Sequence, residues 1–385
     1  MGTAADRRAI IIGAGVGGLT AAIALRRLAG IETVVFERAS DLRKIQIGGG
    51  LQVWTNAMKA MRQLDLMDAL LAASAELGQC EFRTCSGEVM IGWSVGERSR
   101  ALGAPSVGIS RVDLHRVLLD ALGDDMVRLN SECTGYSQDA DGVSARFADG
   151  REERGALLVG ADGARSMLRN QLLGPTPVKY AGYSVWQTVG HIKSSLPPAD
   201  LFGMWYGRGK RFIYYHVANG QQHWAAIANA KPGGIDHPKA TLLEWYGGWQ
   251  APIESMIEAT DESEISRVDI FGRKPLNTWG SGRVTLLGDA AHPITLNLGQ
   301  GACQAIEDAV VLAKHLKAAP DTVTGLRTYE AARMERTADL MTRAWRFGVI
   351  GQLNNPVLCW AREKGMRAVR NKVERETTAT SAFEV

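Results

Sequence analysis

The sequence is poor in cysteine, and the few cysteines that it has form no pattern. They stand at scattered positions without C-x-x-C spacing: Cys80, Cys85, Cys133, Cys303 and Cys359. An odd number without paired spacing predicts neither a disulfide framework nor a zinc site. A cytoplasmic location, where thiols stay reduced, is therefore expected.

Long apolar runs and blocks of like charge are also missing. No stretch of about 20 apolar residues occurs, so no membrane-spanning helix is expected. The 44 lysines and arginines nearly balance 41 aspartates and glutamates, which leaves a formal net charge of +3. Because no block of like charges stands out along the chain, no nucleic-acid or membrane surface is predicted.

What the sequence does contain is a glycine-rich turn, G-A-G-V-G-G at 13–18. Residues 9–12 before it predict a strand and residues 19–28 after it predict a helix. A second predicted strand, residues 33–36, leads to Glu37, 22 residues after Gly15. This spacing is typical of a dinucleotide-binding unit and favours it over a turn that serves only packing. Because the glycines interrupt the apolar run, it is interpreted as part of the fold and not as an export signal.

Each residue type in this unit has a physical task. Gly13 permits the tight turn, Gly15 lets the backbone approach a pyrophosphate, and Gly18 lets the helix lie close to its strand. The pyrophosphate would lie at the helix N-terminus, where unpaired N–H groups and the helix dipole favour an anion. Glu37 can accept hydrogen bonds from an adenosine ribose. The unit therefore predicts FAD or NAD as the ligand.

The remaining segments predict an α/β fold with a second sheet inserted into it. Residues 143–147, 156–159 and 283–287 read as strands of the nucleotide domain, whereas 176–275 is rich in Trp and Tyr with strand-like runs. The latter pattern predicts an antiparallel sheet. The predicted division is a discontinuous nucleotide domain (1–75, 105–175 and 276–320), a substrate-binding domain (76–104 and 176–275) and a C-terminal helical segment, read as a helix pair (321–385).

Three motifs in this order resemble the single-component FAD-dependent aromatic hydroxylases. That class includes para-hydroxybenzoate hydroxylase, salicylate hydroxylase, FAD-dependent urate hydroxylase and zeaxanthin epoxidase. The motifs are G-A-G-V-G-G at 13–18, G-A-D-G at 160–163, and G-D-A-A-H-P with G-Q-G at 288–301. A weaker segment, G-G-G-L-Q-V-W-T-N-A at 48–57, is also similar, with Thr55 where the family usually has proline. The likeness extends over nearly the whole chain and implies a Rossmann-like FAD-binding domain.

The resemblance implies bound FAD and a transient NAD(P)H, since the sequence has no second G-x-G-x-x-G. It places Asp289 against the ribityl chain, with an N-cap of the following turn as the alternative. The N–H groups at 299–301 would approach flavin N1 and the C2 carbonyl, where a helix N-terminus stabilises the charge of reduced flavin. Arg165 and Arg169 are read either as partners of the donor's phosphates or as solvated. The expected cofactor-binding residues are Gly13, Gly15, Gly18, Glu37, Arg38, Arg111, Asp162, Asp289, Gly299, Gln300 and Gly301.

The family's chemistry follows as an expectation. NAD(P)H reduces the flavin, O2 then gives a C4a-hydroperoxide, and its distal oxygen is transferred to an electron-rich carbon of an aromatic or heteroaromatic substrate. The protein must exclude water and hold that carbon close. Two alternatives stay open: an epoxidase of an alkene or indole-type intermediate, and a flavin-dependent reductase or dehydrogenase on the same fold. A monomer or homodimer is expected.

The stretch W-Y-G-R-G-K-R-F-I-Y-Y-H-V at 205–217 resembles the family's strand that faces the flavin. Arg211 cannot act as a base, because its guanidinium stays charged, so it is predicted to hold an anionic or ionisable substrate. Strand alternation puts Tyr215 on the same face, which is preferred over the opposite face. An edge-strand arginine in a surface ion pair is the alternative. Pro293 is implied at the flavin edge near the oxygen reaction and His292 is read as mostly structural, so the predicted catalytic residues are Arg211, Tyr215 and Pro293.

Overall fold

A computed structural model of the 385-residue chain describes residues 8–44, 49–175, 177–234 and 237–385. The strands in these residues are β1 (Ala9–Ile12), β2 (Thr33–Phe36), β3 (Gly50–Val53), β4 (Ala75–Glu76), β5 (Gln79–Thr84), β6 (Val89–Ser94), β7 (Val107–Ser110), β8 (Val127–Arg128), β9 (Cys133–Gln138), β10 (Val143–Phe147), β11 (Glu152–Gly155), β12 (Leu157–Gly160), β13 (Lys179–Gly190), β14 (Leu201–Tyr206), β15 (Lys210–His216), β16 (Gln222–Asn229), β17 (Ser266–Gly272), β18 (Gly280–Ser281) and β19 (Val284–Leu286). The helices are α1 (Val16–Ala29), α2 (Thr55–Gln63), α3 (Met67–Ala72), α4 (Val95–Leu102), α5 (Arg111–Leu122), α6 (Met167–Leu173), α7 (Pro238–Tyr246), α8 (Ile253–Ala259), α9 (Gly301–Ala318), α10 (Thr322–Gly351), α11 (Pro356–Ala368) and α12 (Arg370–Ser381).

The first sheet has six strands in the order β18-β19-β12-β1-β2-β8, and all but β18 run parallel. Strand β1, A-I-I-I, is buried at every position. A short β-branched run that is apolar on both faces is what a central parallel strand needs, because helices cover both sides. Strand β10 matches the predicted 143–147, but it lies in a separate three-stranded sheet with β9 and β11.

The second sheet has seven strands in the order β17-β13-β16-β15-β14-β5-β6. It is antiparallel, as predicted, except where β14 pairs in parallel with β5. Parallel pairing is possible here because β5 comes from residues 79–84, far from β14 in the chain, so no hairpin joins the two strands and requires them to be antiparallel. The division into domains given above stays a prediction.

The two faces of this sheet pack into different cores. Side chains such as Ile213 and Tyr215 of β15 join the core that also contains β1 and α9. Their neighbours Phe212 and Tyr214 join a second core with Leu242 of α7 and residues of α8. The period-2 alternation of β15 therefore separates a face toward the first sheet from a face toward α7 and α8.

The C-terminal segment is helical from Thr322, where Asp321 caps α10 through the N–H of Thr324. The predicted helix pair is wrong in number, because the described residues contain three helices here: α10, α11 and α12. Asn355 caps α11 and Pro356 opens it, which explains the break after Gly351. Among the described residues, none of the helices combines the length and apolar character that crossing a bilayer requires.

Candidate active site

The three glycine-containing motifs meet at one edge of the first sheet. Strands β1, β12 and β19 are neighbours and parallel, so the segments after them leave at the same edge. A Cβ built on Gly13 would overlap the carbonyl oxygen of Ala161. A Cβ on Gly17 would lie 2.8 Å from Cδ2 of Leu287 and 3.3 Å from Cβ of Ala305. Segments 13–18, 160–163 and 288–301 therefore line one groove.

The glycines of the first turn have different surroundings. Gly13 has φ +105°, and a Cβ on Gly18 would overlap the Gly13 carbonyl oxygen, so both positions exclude larger residues within the protein itself. By contrast, a Cβ on Gly15 would meet nothing within 4 Å. Gly15 is also the N-cap of α1 and provides no side-chain cap. The first N–H groups of α1 therefore face open space that suits an anion.

Ala14, in the middle of this turn, is held from two sides. Oε2 of Glu37 accepts a hydrogen bond from Ala14 N at 2.9 Å, and Oε1 accepts one from Ala39 N at 2.9 Å. On the other side, Nε2 of His115 donates to the Ala14 carbonyl at 2.8 Å. Burial lowers the pKa of His115, so the ring is neutral. Glu37 thus orders the turn, and a carboxylate with two further lone pairs can still accept from a ribose. Arg38 is exposed beside it.

Asp289 lies inside the short turn Gly288–Ala290, whose N-cap is Leu287. The N-cap of the following turn, Leu296–Leu298, is Thr295, so the structure does not place Asp289 at the N-cap of either turn. Its side chain is accessible to solvent in the groove. The protein atoms around it nevertheless reduce its solvation, and this raises its pKa. The charges of His292, Arg111 and Arg169 oppose this rise. Arg111 of α5, which is exposed, and Asp289 therefore line the same part of the groove.

A buried ionic network supports the Asp289 turn from behind. Oδ2 of Asp308 accepts from Gly288 N at 3.0 Å and from Nε2 of His292 at 2.5 Å. Arg333 donates to Oδ1 of Asp308 at 2.7 Å and to Glu307 at 2.6 Å, and the four side chains are at most 1% exposed. Desolvation opposes ionisation, but His292 and Arg333 outweigh it and lower the pKa of Asp308 to about 2. His292 is thus part of a support for the loop.

The loop that follows ends in the N-terminus of α9. Gly299 has φ +61°, and Gln300 is the N-cap of α9 without a side-chain cap. The Gln300 side chain is buried, where its Oε1 accepts from Nδ2 of Asn56 at 3.1 Å and from Nε2 of Gln304 at 2.9 Å. Only the backbone of Gly299, Gln300 and Gly301 is therefore left to meet a cofactor.

Asp162 and Arg169 connect the second motif with the third. Oδ2 of Asp162 accepts from Met167 N at 2.8 Å, whereas its buried Oδ1 has no hydrogen-bond partner in the part of the chain that the structure describes. Arg169 is fully buried and donates to the carbonyls of Ala290 at 2.9 Å and Ala164 at 2.8 Å. Both readings of Arg169, as a phosphate ligand and as a solvated residue, are therefore wrong; Arg165 is exposed.

Arg211 lies on β15, in the interior of the seven-stranded sheet, and is fully buried. The alternative of an edge-strand arginine in a surface ion pair is therefore wrong. Its Nη2 donates to Oδ1 of Asn297 at 2.8 Å, its Nε donates to Oε1 of Gln352 at 2.9 Å, and its guanidinium lies 5.6 Å from the Tyr183 ring centre. Nη1 is buried without a partner among the described residues. Arg211 thereby joins the sheet to the loop before Gly299.

Tyr215, four residues further along the same face, is fully buried against β3. Its ring centre lies 4.7 Å from that of His223, and a Cβ on Gly50 would lie 2.6 Å from its hydroxyl oxygen. That hydroxyl has no hydrogen bond of good geometry with any described residue. Burial raises the pKa of Tyr215 well above its usual value, and the nearby Gln52 opposes this rise. Tyr215 is therefore a protonated donor.

Strand β3 connects Tyr215 to the N-terminus of α9. A Cβ on Gly299 would overlap Oε1 of Gln52 and lie 2.8 Å from Nε1 of Trp54, whose N–H is also buried without a partner among the described residues. We call the region between β3, the Arg211 face of β15 and the Gly299 turn the inner chamber. Pro293 is buried at the other end of the loop, next to His292. The opposite face of β15 is filled, since Phe212 stacks on Trp224 at 5.6 Å.

Sequence reasoning missed several of these residues. His115, His223 and the pair Glu307 and Asp308 were not singled out, although each interrupts an apolar strand or helix, which is the available signal. Burial lowers the pKa of His223 to about 4, and its Nδ1 lies 2.9 Å from the Thr188 carbonyl oxygen. No group of His, Cys, Asp or Glu in the described ranges could hold a metal ion.

The groove suits a flavin dinucleotide on its own geometry. Gly15 leaves space beside the uncapped N-terminus of α1, and α9 offers a second uncapped N-terminus at Gly299–Gly301. Asp162, in the segment after β12, has a buried oxygen without a hydrogen-bond partner among the described residues. A pyrophosphate at α1 and a flavin whose reduced form is anionic at α9 would satisfy both.

Comparisons with known proteins agree with this geometry. The family model described as FAD binding domain matches residues 6–344. The chain is 42% identical over 377 residues to aurachin C monooxygenase/isomerase of Stigmatella aurantiaca, covering 97% of each. It is 36% identical over 343 residues to FAD-dependent urate hydroxylase of Klebsiella pneumoniae, covering 88% of each. The crystal structure of Klebsiella pneumoniae HpxO complexed with FAD and uric acid superposes with TM-score 0.91 at 33% identity, over 97% of this chain and 96% of that one.

Proposed function

The chain belongs to the FAD binding domain family and is an FAD-dependent monooxygenase, and we propose that it hydroxylates a heteroaromatic molecule that presents acceptor oxygens to the inner chamber. FAD is the bound cofactor and NAD(P)H the transient reductant. Bound FAD, once reduced, activates O2 and supplies the oxygen atom that is transferred. Substrate choice and the roles of individual residues are what the proposal adds.

The observation that carries the proposal is a set of unpartnered donors. Trp54 Nε1, Tyr215 OH and Arg211 Nη1 are all buried without hydrogen bonds to described residues. A buried donor left unpaired costs about 1–3 kcal/mol, so a ligand that supplies acceptors recovers this energy. The neighbouring side chains are aromatic, with Phe202 packed between the rings of Trp54 and Tyr215 at 5.9 and 5.8 Å. Such a site favours a flat ring with carbonyl or oxyanion substituents.

The two residues of the β15 face take different tasks in this proposal. Tyr215 stays protonated and donates to a substrate oxygen. Arg211 stabilises negative charge on the substrate. Its hydrogen bond to Asn297 fixes the position of the sheet relative to the loop that ends at Gly299. Pro293 closes the far end of that loop against water. Hydrogen bonds that fix the acceptor ring close to the cofactor raise the rate through orientation.

The names of two relatives supply the first substrate probes. Aurachin C is the substrate in the name of the 42% identical protein, and urate in that of the 36% identical one. We take aurachin C as the first candidate, because that relative matches 97% of both chains.

The test incubates the FAD-loaded protein with NADH or NADPH under ¹⁸O2. Aurachin C or urate is added as the substrate. We expect substrate-stimulated NAD(P)H oxidation and a product that carries one ¹⁸O in a ring hydroxyl. An unlabelled product would contradict monooxygenation and point to the reductase or dehydrogenase alternative. A labelled epoxide would point to the epoxidase alternative.

A matched pair of variants tests the donor set. Tyr215→Phe removes one donor, and we expect kcat/KM to fall about tenfold, the equivalent of one hydrogen bond. Tyr214→Phe makes the same change on the opposite face, where the hydroxyl bonds to His216 at 2.7 Å, and should keep the wild-type value. Equal effects of the two changes would remove Tyr215 from the substrate site.

We also propose a cytoplasmic location, because all five cysteines are free thiols. A monomer or homodimer stays a prediction.

A further inference from the structure

Exposed apolar side chains are concentrated at one end of the molecule. Of the eleven large hydrophobic side chains that are exposed among the described residues, six lie within residues 349–369. Scattered single residues of this kind are ordinary, but a cluster marks an interaction surface. We call five of them the apolar ridge: Val349 (55% exposed), Ile350 (50%), Val357 (69%), Leu358 (50%) and Trp360 (62%).

The ridge is held outward because α11 is anchored by its other side. Cys359 and Arg362 face inward and are at most 5% exposed. Arg362 donates to the carbonyls of Gly207 at 3.1 Å and Gly351 at 3.3 Å and lies 5.3 Å from the Tyr206 ring centre. The exposed side chains of α11 therefore stand on a fixed helix and not on a loosely attached one.

Positive charge exceeds negative charge around the ridge. Residues 340–372 contain seven arginines and lysines but a single acid, Glu363, which lies 3.6 Å from Arg362. Three of the other cations, Arg343, Arg367 and Lys372, pair with acids outside this range. Arg346, Lys364 and Arg370 are exposed and form no ion pair in the part of the chain that the structure describes. Such a surface is not evident in the sequence, because these residues do not follow one another along the chain; they lie on three successive helices, α10, α11 and α12.

We propose that the apolar ridge docks onto the surface of an anionic lipid membrane. A helix that presents Trp, Leu and Val beside Lys and Arg is suited to lie in the interface of a bilayer, and Trp favours that depth. Each cation near the surface adds to the attraction for anionic lipids. A second copy of this chain is a poorer occupant, since a symmetric contact would set like charges against each other.

Docking would also place the inner chamber close to the lipid. Gln352, directly after α10, accepts the hydrogen bond of Arg211 Nε, while Ile350 two residues earlier belongs to the ridge. One helix end therefore contacts the chamber on its inner side and the membrane on its outer side. The uptake of a lipid-soluble substrate from the bilayer follows from this arrangement and rests on the proposed function, whereas docking itself does not.

The test is sedimentation of the FAD-loaded protein with vesicles, without substrate. We expect binding to vesicles of equal parts phosphatidylglycerol and phosphatidylcholine and much weaker binding to pure phosphatidylcholine. Leu358→Ser with Trp360→Ser should reduce the partition coefficient at least about tenfold, and so should Arg346→Gln with Lys364→Gln and Arg370→Gln. The control is Leu71→Ser with Phe271→Ser, two exposed residues outside the ridge (36% and 39%), which should bind as the wild type does.

Three results would overturn the proposal. The first is that the wild type does not bind to the anionic vesicles. The second is that the ridge and control variants lose vesicle binding to the same extent. The third is a wild type that sediments as a dimer while the ridge variant sediments as a monomer. That result would make the ridge a contact between copies. Full FAD content in each variant confirms that the fold is intact, and because no substrate is present, the result is independent of the proposed chemistry.

Discussion

The two ends of the cofactor groove are built in different ways. The turn at 13–18 is shaped by its own glycines, and the side chains of Glu37 and His115 hold its backbone from outside. The loop at 288–301 has glycines too, but its position depends on Asp308 and Arg333, which lie on α9 and α10. One end is therefore determined by local backbone conformation, and the other by long-range buried charge. Similar glycine motifs can therefore be held in place by unrelated interactions, so substitutions should affect the two ends differently.

The largest expected effect is on the loop end. Arg333→Met leaves Glu307 and Asp308 buried with fewer partners, so the free energy of unfolding should fall by about 3–5 kcal/mol. FAD affinity should fall with it, because Gly288 and His292 lose a fixed Asp308. Urea denaturation measures the free energy of unfolding, and FAD titration measures the affinity for FAD. Arg154→Met, which removes an exposed pair with Asp139, serves as the control and should leave the melting temperature unchanged. A stable variant with normal FAD affinity would contradict the long-range account.

At the turn end, stability and binding should separate. Gly15→Val places a side chain in open space, so the protein should fold normally but bind FAD more than about tenfold more weakly. Gly18→Val forces a side chain onto the Gly13 carbonyl, and we expect a loss of about 1–3 kcal/mol or more in folding. Circular dichroism, thermal melting and FAD content distinguish the two. If Gly15→Val retained full FAD content, the position of the pyrophosphate would have to be reassigned.

A smaller effect is expected at Asp289, the residue that the buried network presents to the groove. Asp289→Ala should weaken FAD binding by about 1–3 kcal/mol, the cost of a lost hydrogen-bond partner that the bound cofactor would cover. Because the turn is held by Asp308 through Gly288 N and His292, and not by the Asp289 carboxylate, the melting temperature of the apoprotein should stay unchanged. An unchanged FAD dissociation constant would show that Asp289 does not contact the cofactor.

The effect that is smallest at neutral pH concerns the substrate side, and it grows only as the pH falls. An unfolded histidine titrates near pH 6.5, whereas burial lowers the pKa of His223 to about 4. The folded state therefore prefers the neutral ring, and its contribution to stability is complete above about pH 6.5 and is lost as the pH falls toward about 4. His223→Gln should flatten the decline in melting temperature across this window. The same slope in wild type and variant would mean that His223 is not desolvated.

The sequence could predict what local backbone chemistry determines. The turn at 13–18 and the strands and helices beside it follow from glycine positions and hydrophobic period, and β2 and β10 have the bounds that the pattern predicts. The partners of Arg211 could not be predicted, because Asn297 and Gln352 lie 86 and 141 residues away and no local pattern encodes such contacts. For the same reason Arg169 was read as solvated or phosphate-binding. A polar residue within an apolar run indicates that a buried partner exists, but not which one.

The way in which the chain supplies the first sheet constrains how the protein can be made. Strand β1 pairs with β12, and β12 pairs with β19. Residues 9–12 therefore cannot pair until residues 157–160 are synthesised, and these cannot complete their pairing until residues 284–286 are synthesised. A nascent chain that ends before Val284 leaves the fully buried strand β12 with an open edge of Leu157, Leu158 and Val159. Open apolar edges pair with other chains, and contacts of such long range form slowly. During synthesis the chain therefore passes through a long interval in which aggregation competes with folding, and that interval closes only when the last quarter of the protein has begun to emerge.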